Sequence, residues 1–249
     1  MLYERSIVAR CYINMRNDLV LSSRLDLRSL REQYKRSQRI HIPNILKERF
    51  ADKIYQTLSK QKQWNLCWND DGKHFDMDYE GVVQWDESQR KQLLKIIETQ
   101  AENKFQYHYA AIPIYDIYKN KVMPNHFFND IYEFVNSEEF LALVRKITSL
   151  DAIQYADVQA TRFTGGHFLN EHNDNVVGKN RLAAFVLNMT RNWNSNWGGA
   201  LVFNEEQPTA YFPAYNALNI FTVPQKHLVS YIPPYVTKNR HSLTGWLRY

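Results

Sequence analysis

Six short runs of strand-forming residues crowd into residues 151–249, and they constrain the fold more than any other feature. The runs are Val158–Phe163, Arg181–Asn188, Ala200–Asn204, Ala217–Val223, His227–Ile232 and Ser242–Arg248. Turn signals separate them: Gly165-Gly166, Gly198-Gly199, Pro213, Pro224 and Pro233-Pro234. Short strands at near-regular spacing predict a sandwich or jelly roll. An aromatic content of 14% fits a sheet-heavy core with a lined pocket.

Residues 1–150 read as mostly helical. Ser23 to Asp26 has the form of a capping box, with Leu21, Leu25, Leu30 and Tyr34 as the apolar side of the helix it opens. Arg24, Arg28, Arg31, Lys35 and Arg39 make a basic stripe at steps of three to four. A solvated face explains the stripe, and a surface for an acidic partner is the alternative. Asn44 is expected to cap a second helix, in which Leu46, Phe50, Ile54 and Leu58 recur every fourth residue. Gln89–Phe105 and Phe127–Leu150 carry further helical patterns, the latter divided by a cap at Ser137. Between them, Trp64–Trp85 with Asn69-Asp-Asp-Gly72 at its centre predicts a hairpin.

Composition excludes several classes. The 31 basic residues exceed the 26 acidic ones only mildly, so nucleic acid is not indicated. Two cysteines, Cys11 and Cys67, match no zinc or disulfide framework, and a reducing cytoplasm is the expected location. The apolar runs fall well short of the roughly 18 residues that span a bilayer, and the charged N-terminus lacks a signal-type apolar region.

The chemistry sits in the strand-rich half. His172-x-Asp174 follows Gly165-Gly-His-Phe-Leu-Asn-Glu. In extended backbone these two side chains share a face, about 7 Å apart along the chain, and can bind adjacent positions of one metal ion. A third ligand must come from another strand, and His227, opening the run His-Leu-Val-Ser-Tyr-Ile, is best placed. Two histidines and one carboxylate leave three octahedral positions open, as in non-haem Fe(II) oxygenases. Zinc would also accept the set, which leaves a hydrolase open, as it does a jelly roll whose metal site is vestigial. Arg240 begins the last strand, with Ser242 two residues later on the same face. A guanidinium fork and a hydroxyl there can hold a carboxylate. A surface ion pair is the plainer reading of Arg240 alone.

Taken together, these segments resemble the iron(II)- and 2-oxoglutarate-dependent dioxygenases, specifically the prolyl 4-hydroxylase-like group and its bacterial relatives of the ribosomal-protein prolyl hydroxylases. The resemblance runs from Arg39 to Tyr249 and is strongest over Ala156–Asp174. It continues through Leu187-Asn-Met-Thr-Arg-Asn-Trp193, Trp197-Gly-Gly-Ala-Leu-Val-Phe203, His227-x-Val229 and Arg240-x-Ser-x-Thr-Gly-Trp246.

The resemblance implies an α+β fold with a mostly β core: a double-stranded β-helix (jelly roll, cupin-like) with supporting N-terminal helices. It implies an N-terminal extension over 1–38 bearing the basic helix, and one dioxygenase domain over 39–249, with helical support over 39–150 and the core over 151–249. His172, Asp174 and His227 match the metal ligands. Arg240, Ser242 and, more loosely, Gln159 match cosubstrate-binding positions; Trp246, Phe163 and Val229 fall in the substrate pocket. The relatives often carry a tyrosine where this chain has Phe163, and its hydroxyl helps to bind 2-oxoglutarate. The implied cofactor set is Fe(II), 2-oxoglutarate and O2, with ascorbate as a reductant. The implied reaction hydroxylates an unactivated C–H bond, foremost in a prolyl residue of a protein or peptide, with release of succinate and CO2. The alternatives are a free amino acid, a natural-product intermediate, or a silent metal-binding module. A basic or ribosomal protein is the expected partner. The Trp64–Trp85 hairpin would then serve as a mobile lid, with Asp70 and Asp71 attracting a basic peptide.

Overall fold

The computed structural model describes residues 20–249. The first half of the expected N-terminal extension therefore lies outside the described residues. Helices α1 (Leu27–Ser37), α2 (Glu48–Lys60), α3 (Tyr79–Val83), α4 (Glu87–Ala101), α5 (Ile114–Lys119), α6 (Phe128–Val135) and α7 (Glu138–Thr148) precede most of the sheet. The first four strands are β1 (Arg39–Pro43), β2 (Asn65–Asp70), β3 (Lys73–Met77) and β4 (Tyr107–Ile112). There follow β5 (Tyr155–Ala156), β6 (Gln159–Phe163), β7 (Phe168–His172), β8 (Arg181–Met189), β9 (Leu201–Phe203), β10 (Thr209–Tyr211), β11 (Tyr215–Thr222), β12 (His227–Val229) and β13 (Arg240–Arg248).

The strands form a nearly closed, barrel-like jelly roll in the order β1-β11-β8-β13-β6-β4-β7-β12-β9-β10. Every pairing is antiparallel. Side chains tie the two ends of this path together. Arg39 of β1 donates from Nη1 and Nη2 to Glu205 at 2.8 Å each and from Nη2 to Thr209 Oγ1 of β10 at 3.2 Å. Its guanidinium also lies 4.7 Å from the Phe203 ring.

Helices α1, α2, α6 and α7 pack on one face of the sheet. Tyr34, Ile54, Leu58, Phe128, Phe140 and Ile147 share a core cluster there with Phe185, Leu187, Leu218 and Leu243. Ser137 caps α7, accepting from Phe140 N at 3.2 Å, as its sequence position predicts. Leu46, Phe50, Ile54 and Leu58 are all buried.

Several boundaries differ from the sequence reading, each for a local reason. Helix α1 begins after Asp26, whose side chain accepts from Ser29 N at 3.1 Å, and not after Ser23. The segment before it is held elsewhere instead: Ser22 N donates to Ile45 O, Leu21 bridges to Leu46, and Ser23-Arg24 form a turn. Asn44 caps nothing. It turns the chain in the left-handed region at φ 53°, and Ile45 and Leu46 then run on until α2 starts at Glu48. Arg39 leaves the basic stripe because it sits in β1, buried and paired with Glu205.

The division into a helical and a strand half also fails. β1 to β4 all join the sheet, and β4 inserts between β6 and β7. β4 is buried on both faces, so it shows no polar alternation, which hides a six-residue strand from periodicity arguments.

One motif glycine has a steric explanation. A Cβ on Gly245 would lie 1.9 Å from the Asp157 carbonyl oxygen. That approach lets Asp157 N donate to Trp246 O at 3.1 Å and Asp157 Oδ1 accept from Trp246 N at 2.7 Å. Gly245→Ala is expected to destabilise the fold by about 1–3 kcal/mol, the usual cost of overpacking. A urea midpoint equal to wild type would contradict this.

Candidate metal centre and carboxylate pocket

The three residues of the candidate metal centre come from neighbouring strands. His172 ends β7, and His227 opens β12 directly opposite it in the ladder. Their rings lie 4.2 Å apart between centroids. Asp174 is placed by a turn, not by the extended spacing that the sequence suggested. β7 stops at His172, and Asp174 has φ 61°. Aspartate tolerates this left-handed conformation better than most residues. The turn brings Asp174 Oδ1 to 3.5 Å from His172 Nε2 and Oδ2 to 3.4 Å from His227 Nε2. One ligand atom from each of the three residues lies within 4.8 Å of the others.

The hydrogen bonds behind the site suit a cation. His172 Nδ1 is 2.9 Å from the Asn170 carbonyl, and His227 Nδ1 is 2.8 Å from the Gln225 carbonyl. A carbonyl can only accept, so each Nδ1 carries the proton and each Nε2 presents its lone pair toward Asp174. Burial, helped by His172, lowers His227 to about 4, which keeps it a neutral ligand at ordinary pH. For Asp174, burial raises the carboxyl, but His172 and His227 outweigh it and the net shift is downward. The donor set therefore fits a divalent metal ion with open positions.

A cavity of about 910 Å³ opens beside these residues. Arg240 lies on its wall, only 2% exposed, with its guanidinium 4.9 Å from the Phe163 ring. Its Nε and Nη1 are buried without a hydrogen-bond partner. Burial lowers its pKa to about 10, so it remains charged at neutral pH. A buried, unpaired guanidinium is costly and fits a site that a carboxylate completes.

The other sequence candidates divide. Gln159, Phe163, Val229 and Trp246 line the same cavity. Ser242 is fully buried, and its hydroxyl is engaged with Thr161 Oγ1 at 2.9 Å; Thr161 is the residue that reaches the cavity. Asp70 and Asp71 do not line the cavity. The hairpin forms as expected, but its tip is tied down: Gln100 Nε2 donates to Asp70 at 2.6 Å, and Lys104 pairs with Asp71 at 2.6 Å. β2 is also laddered to β4 through Asn65–Trp68, and the hairpin reaches the cavity through His74.

Sequence reasoning missed Arg181 and Tyr109. Arg181 lies 3.5 Å over the Trp246 indole and donates from Nη1 to the Asp174 carbonyl at 3.0 Å, bracing the left-handed turn. Tyr109 stacks on Phe163 with centroids 5.2 Å apart and planes 14° from parallel. The aromatic run Tyr107-His-Tyr109 was its only sequence signal, in a segment assigned to no element. His167 packs on His108, away from the metal centre, and Trp193 packs on Trp197.

Residues 158–248 match the sequence profile of the 2OG-Fe(II) oxygenase superfamily. No curated protein matches the sequence. Among solved structures, an oxidoreductase of the 2OG-Fe(II) oxygenase family from Burkholderia pseudomallei superposes with a TM-score of 0.58 at 12% identity, over 93% of this chain and 96% of that one. A Pseudomonas putida prolyl-4-hydroxylase gives a TM-score of 0.55 at 15% identity, over 89% and 98%. A Trichoplax adhaerens prolyl hydroxylase, in complex with a hypoxia inducible factor peptide fragment, gives 0.55 at 14%, over 89% and 88%. These likenesses are likenesses of fold.

Proposed function

Taking residues 158–248 as the 2OG-Fe(II) oxygenase region of the chain, we propose that the protein hydroxylates an unactivated C–H bond, foremost in a prolyl residue of a protein or peptide. Fe(II), 2-oxoglutarate and O2 follow from the family. The observation that carries the reading is Arg240, a charged fork buried without a partner in the cavity that adjoins His172, Asp174 and His227. A zinc hydrolase would leave that fork without a use.

The residues divide the work. His172, Asp174 and His227 hold the metal. Arg240 takes the far carboxylate of 2-oxoglutarate, beside Gln159 and Thr161. Fe(II) and 2-oxoglutarate, when held there, would supply the oxidising power for hydroxylation, with O2 as the oxygen source and succinate and CO2 as coproducts. Trp246, Phe163 and Val229 shape the wall and exclude water, and ascorbate serves as a reductant. The Pseudomonas and Trichoplax proteins of similar fold are prolyl hydroxylases by name, the latter holding a peptide, which supports a peptidyl substrate. The open cavity mouth, with Phe105 44% exposed at its rim, suits a substrate larger than a free amino acid.

Anaerobic titration with Fe(II) and then 2-oxoglutarate should give a visible metal-to-ligand charge-transfer band. Its absence, with zinc bound and a hydrolytic activity present, would replace this reading. Mass spectrometry of peptides incubated with the loaded enzyme should show a 16 Da gain on proline. A gain on free proline alone would move the substrate to the amino-acid class.

A further inference from the structure

Three strands place a row of side chains on the cavity wall. Arg240 of β13 is opposite Phe163 of β6. β4 pairs with β6 through Ala110 opposite Arg162 and Ala111 opposite Thr161, so one step further along that register sets Tyr109 opposite Phe163. Tyr109, Phe163 and Arg240 all line the cavity. Two strand spacings put the outer residues of the row about 10 Å apart at their Cα atoms, so both long side chains reach the space over Phe163.

Phe163 contributes a ring and no hydroxyl. Ser242 is spent on Thr161. Arg240 offers two unpartnered nitrogens. Tyr109 is partly accessible, and the Gln159 side chain faces its hydroxyl. Burial raises the phenol, so it keeps its proton and serves as a donor.

We propose that the Tyr109 hydroxyl donates a hydrogen bond to the 2-oxoglutarate carboxylate held by Arg240, filling from β4 the role that Phe163 lacks on β6. The proposal rests on the reading of Arg240 given above. Phe163 links the two groups in space: its ring centroid is 5.2 Å from that of Tyr109 and 4.9 Å from the Arg240 guanidinium.

The test is anaerobic titration of 2-oxoglutarate into Fe(II)-loaded wild type, Tyr109→Phe, Arg240→Ala and the double variant Tyr109→Phe/Phe163→Tyr. Tyr109→Phe should weaken 2-oxoglutarate roughly ten- to a hundred-fold, as expected for one hydrogen bond to a charged group. Fe(II) affinity and melting temperature should stay at wild-type values, since only one oxygen atom is removed. Phe163→Tyr in that background should recover most of the loss by returning a hydroxyl to the same row. A Tyr109→Phe titration within about twofold of wild type, while Arg240→Ala loses binding, overturns the Tyr109 role and leaves the cosubstrate reading intact. Failure of the wild type itself to bind 2-oxoglutarate overturns both. Should Tyr109→Phe fold poorly, 3,5-difluorotyrosine at 109 keeps the ring and lowers the phenol pKa. A more acidic phenol is a stronger donor, so 2-oxoglutarate affinity at neutral pH should change, and an affinity equal to wild type overturns the proposal.

Discussion

Asp174→Ala is expected to abolish turnover and to weaken Fe(II) by more than the roughly 10–100-fold that loss of a ligand's outer partner costs. The carboxylate is the only anion among the three ligands and lies within 3.5 Å of both imidazoles. Without it, two neutral histidines must hold a dication alone. Alanine at φ 61° adds local backbone strain, so Asp174→Asn is the matched variant: asparagine accepts the left-handed turn and removes only the charge. Both should retain the fold, read by melting temperature, and both should fail in equilibrium dialysis against Fe(II). Full activity in Asp174→Ala would remove the triad assignment.

Arg240→Ala is expected to raise the 2-oxoglutarate requirement strongly while leaving Fe(II) affinity near wild type. Truncating one partner of a buried charge pair costs roughly 2–5 kcal/mol, or about 30- to several-thousand-fold in affinity. Arg240→Lys should recover little, because an ammonium cannot reproduce the planar fork. The apo protein should respond with the opposite sign. Its guanidinium is buried with Nε and Nη1 unpaired, so Arg240→Met relieves a desolvation cost and should leave the apo melting temperature equal to or above wild type. Unchanged 2-oxoglutarate dependence in Arg240→Ala would exclude the carboxylate role.

The jelly-roll core was legible because its strands are written locally. Runs such as Arg181–Met189 and Arg240–Arg248 are long, bounded by turns and rich in strand formers. His172, Asp174 and His227 could be nominated from the H-x-D spacing and a histidine opening another strand, while Arg240 and Gln159 took their assignments from the family resemblance. Ser137 could be named as a cap because its hydroxyl bonds three residues away.

Long-range pairing decided the rest. Asp70 and Asp71 seemed free to move in sequence, yet Gln100 and Lys104 hold them, partners some thirty residues off. Arg39 continued a helical stripe in sequence and became the tie between sheet ends because Glu205 lies 166 residues away. The spacing of His172 and Asp174 suggested one metal site, but a left-handed turn braced by Arg181, not extended backbone, closes it. Tyr109 had only the aromatic run Tyr107-His-Tyr109 as a signal, since β4 is buried on both faces and loses the alternation that marks a strand. Residue type and spacing determined which side chains were candidates for metal and carboxylate; only the tertiary structure decided which strand stands beside which, because strand neighbours are chosen by packing across the whole sheet and not by sequence proximity.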